Sequence, residues 1–217
     1  MGIAVKFIDA CFFIGSGLSV TFFLLLGGLV IGLTLGIILA VLRYKNIGRQ
    51  LIARYISILR GTPMLLQLSL IYFAIPTLLG LQLSVLTAGI FAFGLNSSAY
   101  MAEIFRAGIE STPQGQFEAA KVLGISSLHT WKDIILPQVF RAIFPALTGE
   151  VIALLKETAL IATIGGADLM RKSQVLAAEY FTYFTPLCIA GLYYYAIVLF
   201  VENLSRKLER RLDRAHH

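Results

Sequence analysis

Apolar residues along this chain gather into five long runs, and the charges concentrate between them. The runs are 18–42 (LSVTFFLLLGGLVIGLTLGIILAVL), about 56–79 (ending LIYFAIPTLL), about 84–105 (SVLTAGIFAFGLNSSAYMAEIF), about 142–165 (AIFPALTGEVIALLKETALIATIG) and about 186–204 (PLCIAGLYYYAIVLFVENL). A helix that crosses a bilayer needs about 20 mostly apolar residues, and each run supplies roughly that many. The pattern predicts an all-α membrane protein of five transmembrane helices, folded as a single domain over 1–217. GLQL, the link between the second and third runs, is so short that these two helices should form an antiparallel hairpin. Between the third and fourth runs lies the longest polar segment, 106–141, which is too charged to cross a membrane.

Composition agrees with the pattern. The chain is 58% hydrophobic and 14% charged, with mean hydropathy +0.81, against about 45–50% and about 25% in soluble domains. The net charge of +6 matters through its placement. Basic residues stay on the cytoplasmic side of a membrane protein. With the C-terminus inside, the inner segments carry 14 lysines and arginines and the outer ones only Lys6, Arg171 and Lys172. This asymmetry predicts a multi-pass protein of the bacterial inner (cytoplasmic) membrane, N-terminus outside and C-terminus cytoplasmic, with 106–141 on the cytoplasmic face. It also removes nucleic acid as a partner, because the basic residues flank spans and build no separate basic domain. The first run exceeds a signal-peptide core and lacks a small-residue cleavage site after it, so it reads as a retained span. Cys11 and Cys188 form no metal or redox motif, and the terminal His216 and His217 receive no function.

The polar segment has helix punctuation. Ser111 or Thr112 can cap a helix that Pro113 begins, and Gly124 can end it in the left-handed conformation. A second short helix is expected from Ser126 or Ser127, broken at Pro137. Such a bent pair suits either a helix resting on lipid headgroups or a docking knob for a cytosolic partner.

The segment resembles the EAA loop of the permease subunits of ABC importers. Glu118-Ala119-Ala120, Gly124, Ile134 and Leu136-Pro137 stand at that loop's spacing. RYISILRGTPMLLQLSLIYFAIP (54–76), AYMAEIFRAGIESTPQGQFEAAKVLG (99–124) and ALLKETALIATIG (153–165) are similar to the polar amino acid permeases of the histidine, glutamine and arginine uptake group. The resemblance implies the type I ABC importer transmembrane domain, with those seven residues forming a coupling helix seated on an ATPase subunit. It also implies a second permease copy, as homodimer or heterodimer, and a periplasmic or surface solute-binding protein. ATP and magnesium would belong to the partner ATPase, with no cofactor or metal on this chain and an amino acid as substrate.

Within the runs, ionisable residues are costly and point to function. Glu150 should lie about 14 Å above the inner surface, near midplane, and Glu157 about 24 Å, at a rise of 1.5 Å per residue. Seven residues apart, the two share a face. They can line a cavity for an ammonium or cationic side chain, with Lys156 as a further pathway candidate although it lies about 100° round the helix from Glu157. Alternatively, these charges satisfy one another or snorkel across a dimer interface. Thr158 lies beside them. Asn96 and Tyr100 can hydrogen-bond a substrate carboxylate or knit helices together, whereas Ser97 and Ser98 suit helix packing. Glu103 and Arg106 are placed for a local ion pair. Arg60, Thr62 and Pro63, where the second run begins, suggest an inner gate or a headgroup anchor, with Thr62 as cap and Pro63 in the first turn. No catalytic constellation occurs, and no GxxxxGK[ST] P-loop, so the chain is not expected to be an enzyme. The alternatives are an ion-coupled secondary carrier or channel, an ABC permease for another small polar solute, or a membrane subunit that only assembles partners.

Overall fold

The computed structural model describes the backbone of residues 2–214 and the side chains of 7–211. The side chains of Lys6 and Arg214, and the terminal His216 and His217, lie outside the described residues. Those residues form nine helices and no strand: α1 (Gly2–Gly15), α2 (Leu18–Tyr44), α3 (Arg49–Gly61), α4 (Met64–Leu79), α5 (Val85–Glu110), α6 (Gln114–Val122), α7 (Ser127–Ile164), α8 (Leu169–Tyr180) and α9 (Phe184–Arg214). Four stretches are each long and apolar enough to cross a membrane: Phe7–Tyr44, Val85–Glu110, Ser127–Ile164 and Phe184–Arg211. The bent pair α3–α4 makes a fifth.

The central contact is α2 against α5. A Cβ on Gly32 would lie 2.8 Å from Ser97 Oγ, and one on Gly36 would lie 2.5 Å from Met101 Cβ. Small residues at four-residue spacing let two membrane helices approach backbone to backbone. The matched order, Gly32 with Ser97 and Gly36 with Met101, shows that the helices run in the same direction. Leu24, Phe93, Leu154, Leu155 and Ile161 fill the middle of the bundle. Met101, Phe105, Ile135, Val139 and Ile143 fill its arginine-rich end. Ile14, Leu169, Leu176 and Ile189 close the other end, joining α1, α8 and α9.

Two prolines depart from the expected positions, and a third repeats the second one's geometry. The second run does not form one helix over 56–79: α3 and α4 meet at 104°. Thr62 is extended, as the residue before a proline is pressed to be, and it closes α3. Pro63 is itself the cap residue of α4 and stands outside its first turn. Pro137, expected to end a helix, does not: α7 passes through it as one helix of 38 residues. A π turn at Thr130–Ile135 precedes it, in which the Leu136 amide donates to the Trp131 carbonyl five residues back. The wider turn moves aside the carbonyl that the proline ring would strike and that its absent N–H could not serve. Pro76 in α4 repeats the device after a π turn at Leu70–Ala74.

Candidate functional site

Glu150 sits half-buried in the middle of α7. Ser97, wholly buried on α5, donates from Oγ to Glu150 Oε1 at 2.7 Å. Ser97 therefore does more than pack helices, and Gly32 provides the room for it. Glu157 is half-buried two turns further along the same face of α7. Lys156 is exposed and borders a different cavity, of about 320 Å³, with Met170, Leu187, Gly191 and Tyr194. Thr158 is wholly buried and donates to the Leu155 carbonyl at 2.7 Å.

The break between α3 and α4 forms a polar elbow. The end of α3 leaves carbonyls that no following turn can satisfy, and inside a membrane no water replaces the lost partners. Buried Gln67 supplies them: its Nε2 donates to the carbonyls of Leu59 (2.8 Å) and Thr62 (3.1 Å) and to Thr62 Oγ1 (2.8 Å). Asn96 Nδ2 donates to Gln67 Oε1 at 2.9 Å and to Leu59 O at 3.3 Å. The Asn96 amide is thus occupied in joining α5 to the elbow. Thr62 caps no helix start, since its hydroxyl donates back to the Ile58 carbonyl.

Near the arginine-rich end, Glu103 on α5 gathers three arginines from three helices. It pairs with Arg43 of α2, with Arg106 at 2.7 Å and with Arg60 of α3 at 3.7 Å. Arg60 also lies over the Tyr100 ring, 5.1 Å from its centroid. The i, i+3 spacing to Arg106 was legible in the sequence. The pairs reaching Arg43 and Arg60, 60 and 43 residues away, carry no local signal. Arg60, Tyr100, Glu103, Ala142 and Ala146 border a cavity of about 480 Å³ between α5 and α7. Ala146 is one turn from Glu150 on α7, and Tyr100 is one turn from Ser97 on α5.

The segment around Gly124 is held from beneath and exposed above. Gly124 has φ +70°, and the Ile125 amide returns to the Ala120 carbonyl at 3.0 Å, closing α6. Ser126 caps α7 by accepting from the His129 amide. Ser111 and Thr112 do not cap α6. Both hydroxyls turn back to the Gly108 carbonyl, and Pro113 holds the cap position. Trp131 braces the segment, edge-on to Tyr44 (5.0 Å) and Phe117 (5.6 Å). Ala120 is buried, and Ile134 packs on the core cluster at this end. Pro137 is partly covered; Glu118, Ala119, Gly124 and Leu136 are exposed. Beside them Val122, Leu123 and Leu128 stand 86%, 74% and 73% exposed, an apolar patch suited to a partner surface.

At the opposite end, Asp168 stands at the start of α8. Fully buried, it caps α8 by accepting from the Arg171 amide at 2.8 Å, and it accepts from the Tyr194 hydroxyl at 3.0 Å. Burial pushes its carboxyl above the usual aspartate range, and these hydrogen bonds oppose the shift.

Residues 32–214 match the family described as binding-protein-dependent transport system inner membrane component. A permease protein of Rickettsia conorii provisionally assigned to a glutamine transport system is 43% identical over 210 residues, 96% of each chain. The arginine transport system permease ArtQ of Bacillus subtilis is 42% identical over 202 residues, 92% of each. A crystal structure of an amino acid ABC transporter with histidines superposes with TM-score 0.87 at 36% identity, covering 95% of this chain and 97% of that one. An inward-facing MetNI methionine transporter shares the fold, with TM-score 0.71 at 18% identity and 98% of each chain covered. The chain belongs to the binding-protein-dependent transport family and is a membrane-spanning permease subunit.

Proposed function

We propose that the chain lines the membrane pathway of an ATP-driven amino acid importer, with Glu150 receiving the cationic group of the solute. The observation that carries this reading is the Glu150 carboxylate, held by Ser97 inside the membrane one turn from a cavity edged by Arg60 and Tyr100. A carboxylate there attracts an ammonium or guanidinium, and Arg60 offers the opposite sign for a carboxylate. A zwitterionic amino acid presents both. Glu157 continues the same face toward the other end. Asn96 shapes the wall through the elbow and does not touch the solute. Relatives named for glutamine and arginine transport agree with a polar amino acid.

The Gly124 segment, with Glu118, Ala119 and Leu136 exposed and Ala120, Ile134 and Pro137 as its footing, docks on a cytosolic ATPase that holds ATP and magnesium. The basic-residue asymmetry puts this segment and the C-terminus in the cytoplasm and the N-terminus outside. A second permease copy, identical or a sister chain, completes the pathway, and a solute-binding protein delivers the solute from outside. Because α7 runs unbroken from Ser127 to Ile164, a push at the segment reaches Glu150 along about 35 Å of helix.

The test is Glu150→Gln in the reconstituted transporter, following uptake of arginine, histidine and glutamine. Arginine uptake should fall about tenfold or more, the scale of one charged hydrogen bond, with the ATPase still bound. An unchanged profile across the three solutes sinks the assignment.

A further inference from the structure

A separate cavity of about 330 Å³ opens where α2 ends and α3 begins. Its walls include Arg43, Tyr44, Asn46, Arg49, Arg106 and Glu110. The turn between the helices makes it: Asn46 at φ +59° and Gly48 at φ +61° fold the chain back, so Arg49 faces the side where Arg43 lies. The carboxylates here are already engaged. Glu103 takes Arg43 and Arg106, and Glu110 takes Arg106 as well. Among the described residues Arg49 has only Asn46 Oδ1, at 3.5 Å, beyond the usual hydrogen-bond range. Three guanidiniums against two carboxylates leave positive charge in excess. Arg49 is also the first residue of α3, where the helix dipole disfavours a cation, so helix stability does not account for it.

We propose that this cavity binds a phosphate group, carried by the headgroup of an anionic lipid. The guanidinium fork matches phosphate oxygens in geometry and charge. Two membrane helices, α2 and α5, both end at the cavity, so it lies at the depth of the headgroups. Ala40 and Ile109 give it an apolar side, which suits the glycerol and upper acyl chain of a lipid and offers nothing to free phosphate. Tyr44 joins this wall to Trp131 beneath the Gly124 segment.

Native mass spectrometry tests it on the full-length chain in its expressed assembly, released from nanodiscs of equal phosphatidylglycerol and phosphatidylcholine. The wild type should retain phosphatidylglycerol over phosphatidylcholine roughly tenfold, and Arg49→Gln should lose most of that preference. Arg54→Gln removes one exposed charge from the same helix outside the cavity, and should leave the preference intact. Equal retention of the two lipids, or equal loss in both variants, overturns the site in favour of diffuse surface attraction. Millimolar inorganic phosphate is the last arm. Undiminished phosphatidylglycerol retention supports the lipid as occupant; displacement that depends on Arg49 keeps the phosphate site but overturns the lipid assignment. Retention does not depend on transport, so this result stands or falls apart from the role of Glu150.

Discussion

Pro63 and Pro137 enter the structure under the same local rule and leave it with opposite results. At Pro63 the chain turns by 104°. At Pro137 it continues unbroken in α7. The difference lies in what surrounds each. Before Pro63 stand Gly61 and Thr62, and Gln67 and Asn96 wait to take up the carbonyls that the break releases. Before Pro137 stand Trp131, Ile134 and Ile135, packed against the core, and a π turn accommodates the ring without giving up the helix. A proline can therefore make an elbow where polar side chains replace the lost bonds, and a rod where apolar packing holds the helix axis. This transporter uses both. The elbow puts a polar junction beside the cavity, and the rod connects the exposed Gly124 segment to Glu150.

The severest way to break the comparison is Gln67→Leu. It strips the Thr62 carbonyl of its donor and Asn96 of the nearer of its two acceptors, at about 1–3 kcal/mol for each buried group left unmade. The thermal midpoint of the purified assembly should fall clearly; an unmoved midpoint would mean that Pro63 alone shapes the elbow. Next in size is Gly124→Val, at the tip of the rod. A β-branched residue at φ +70° is strained by about 1–2 kcal/mol. ATP-driven uptake should drop severalfold while the chain still inserts and folds, and normal uptake with the ATPase co-purifying would remove the docking role.

Pro137→Ala tests the rod more gently. The helix should persist, the π turn should relax toward ordinary α geometry, and stability should change by less than about 1 kcal/mol. Amide exchange over 130–137 would report the change, and an opening of this stretch to exchange would show that the proline itself stabilises the π turn. The smallest effect concerns Asp168, a third kind of helix end, buried and capped by its own side chain. Its folded pKa is raised, so the protonated form is favoured in the native state. The stability it contributes is full below the unfolded pKa and is lost as pH rises through the folded one. Thermal midpoints across that range should therefore fall for wild type relative to Asp168→Asn, and parallel curves would contradict the burial argument.

Much of this was legible along the chain. The hydrophobic runs marked the spans because the bilayer imposes a length that composition must meet, although the second run concealed the elbow inside it. Gly124 was legible because a left-handed residue after a helix is a local demand. Glu150 stood out as a charge in apolar surroundings, but its partner Ser97, 53 residues earlier, did not. Asn96 had two open roles, and its helix-joining bond became visible only with the neighbouring Gln67.

Glu103 shows the same limit. Its pairing with Arg106 is written in helical spacing, whereas Arg43 and Arg60 meet it only because α2 and α3 pack against α5. The amino-acid sequence by itself determined which segments leave water, where Gly124 turns the backbone left-handed after a helix, and the spacing by which the polar segment resembles the EAA loop. Those are properties of single helices in a bilayer. The elbow's hydrogen bonds, the unbroken helix through Pro137, the three-arginine cluster and the hold on Glu150 were decided by tertiary structure. Each depends on a donor or a packed surface from a distant helix, and in a membrane, where water supplies no substitute, that neighbour settles what a polar group does.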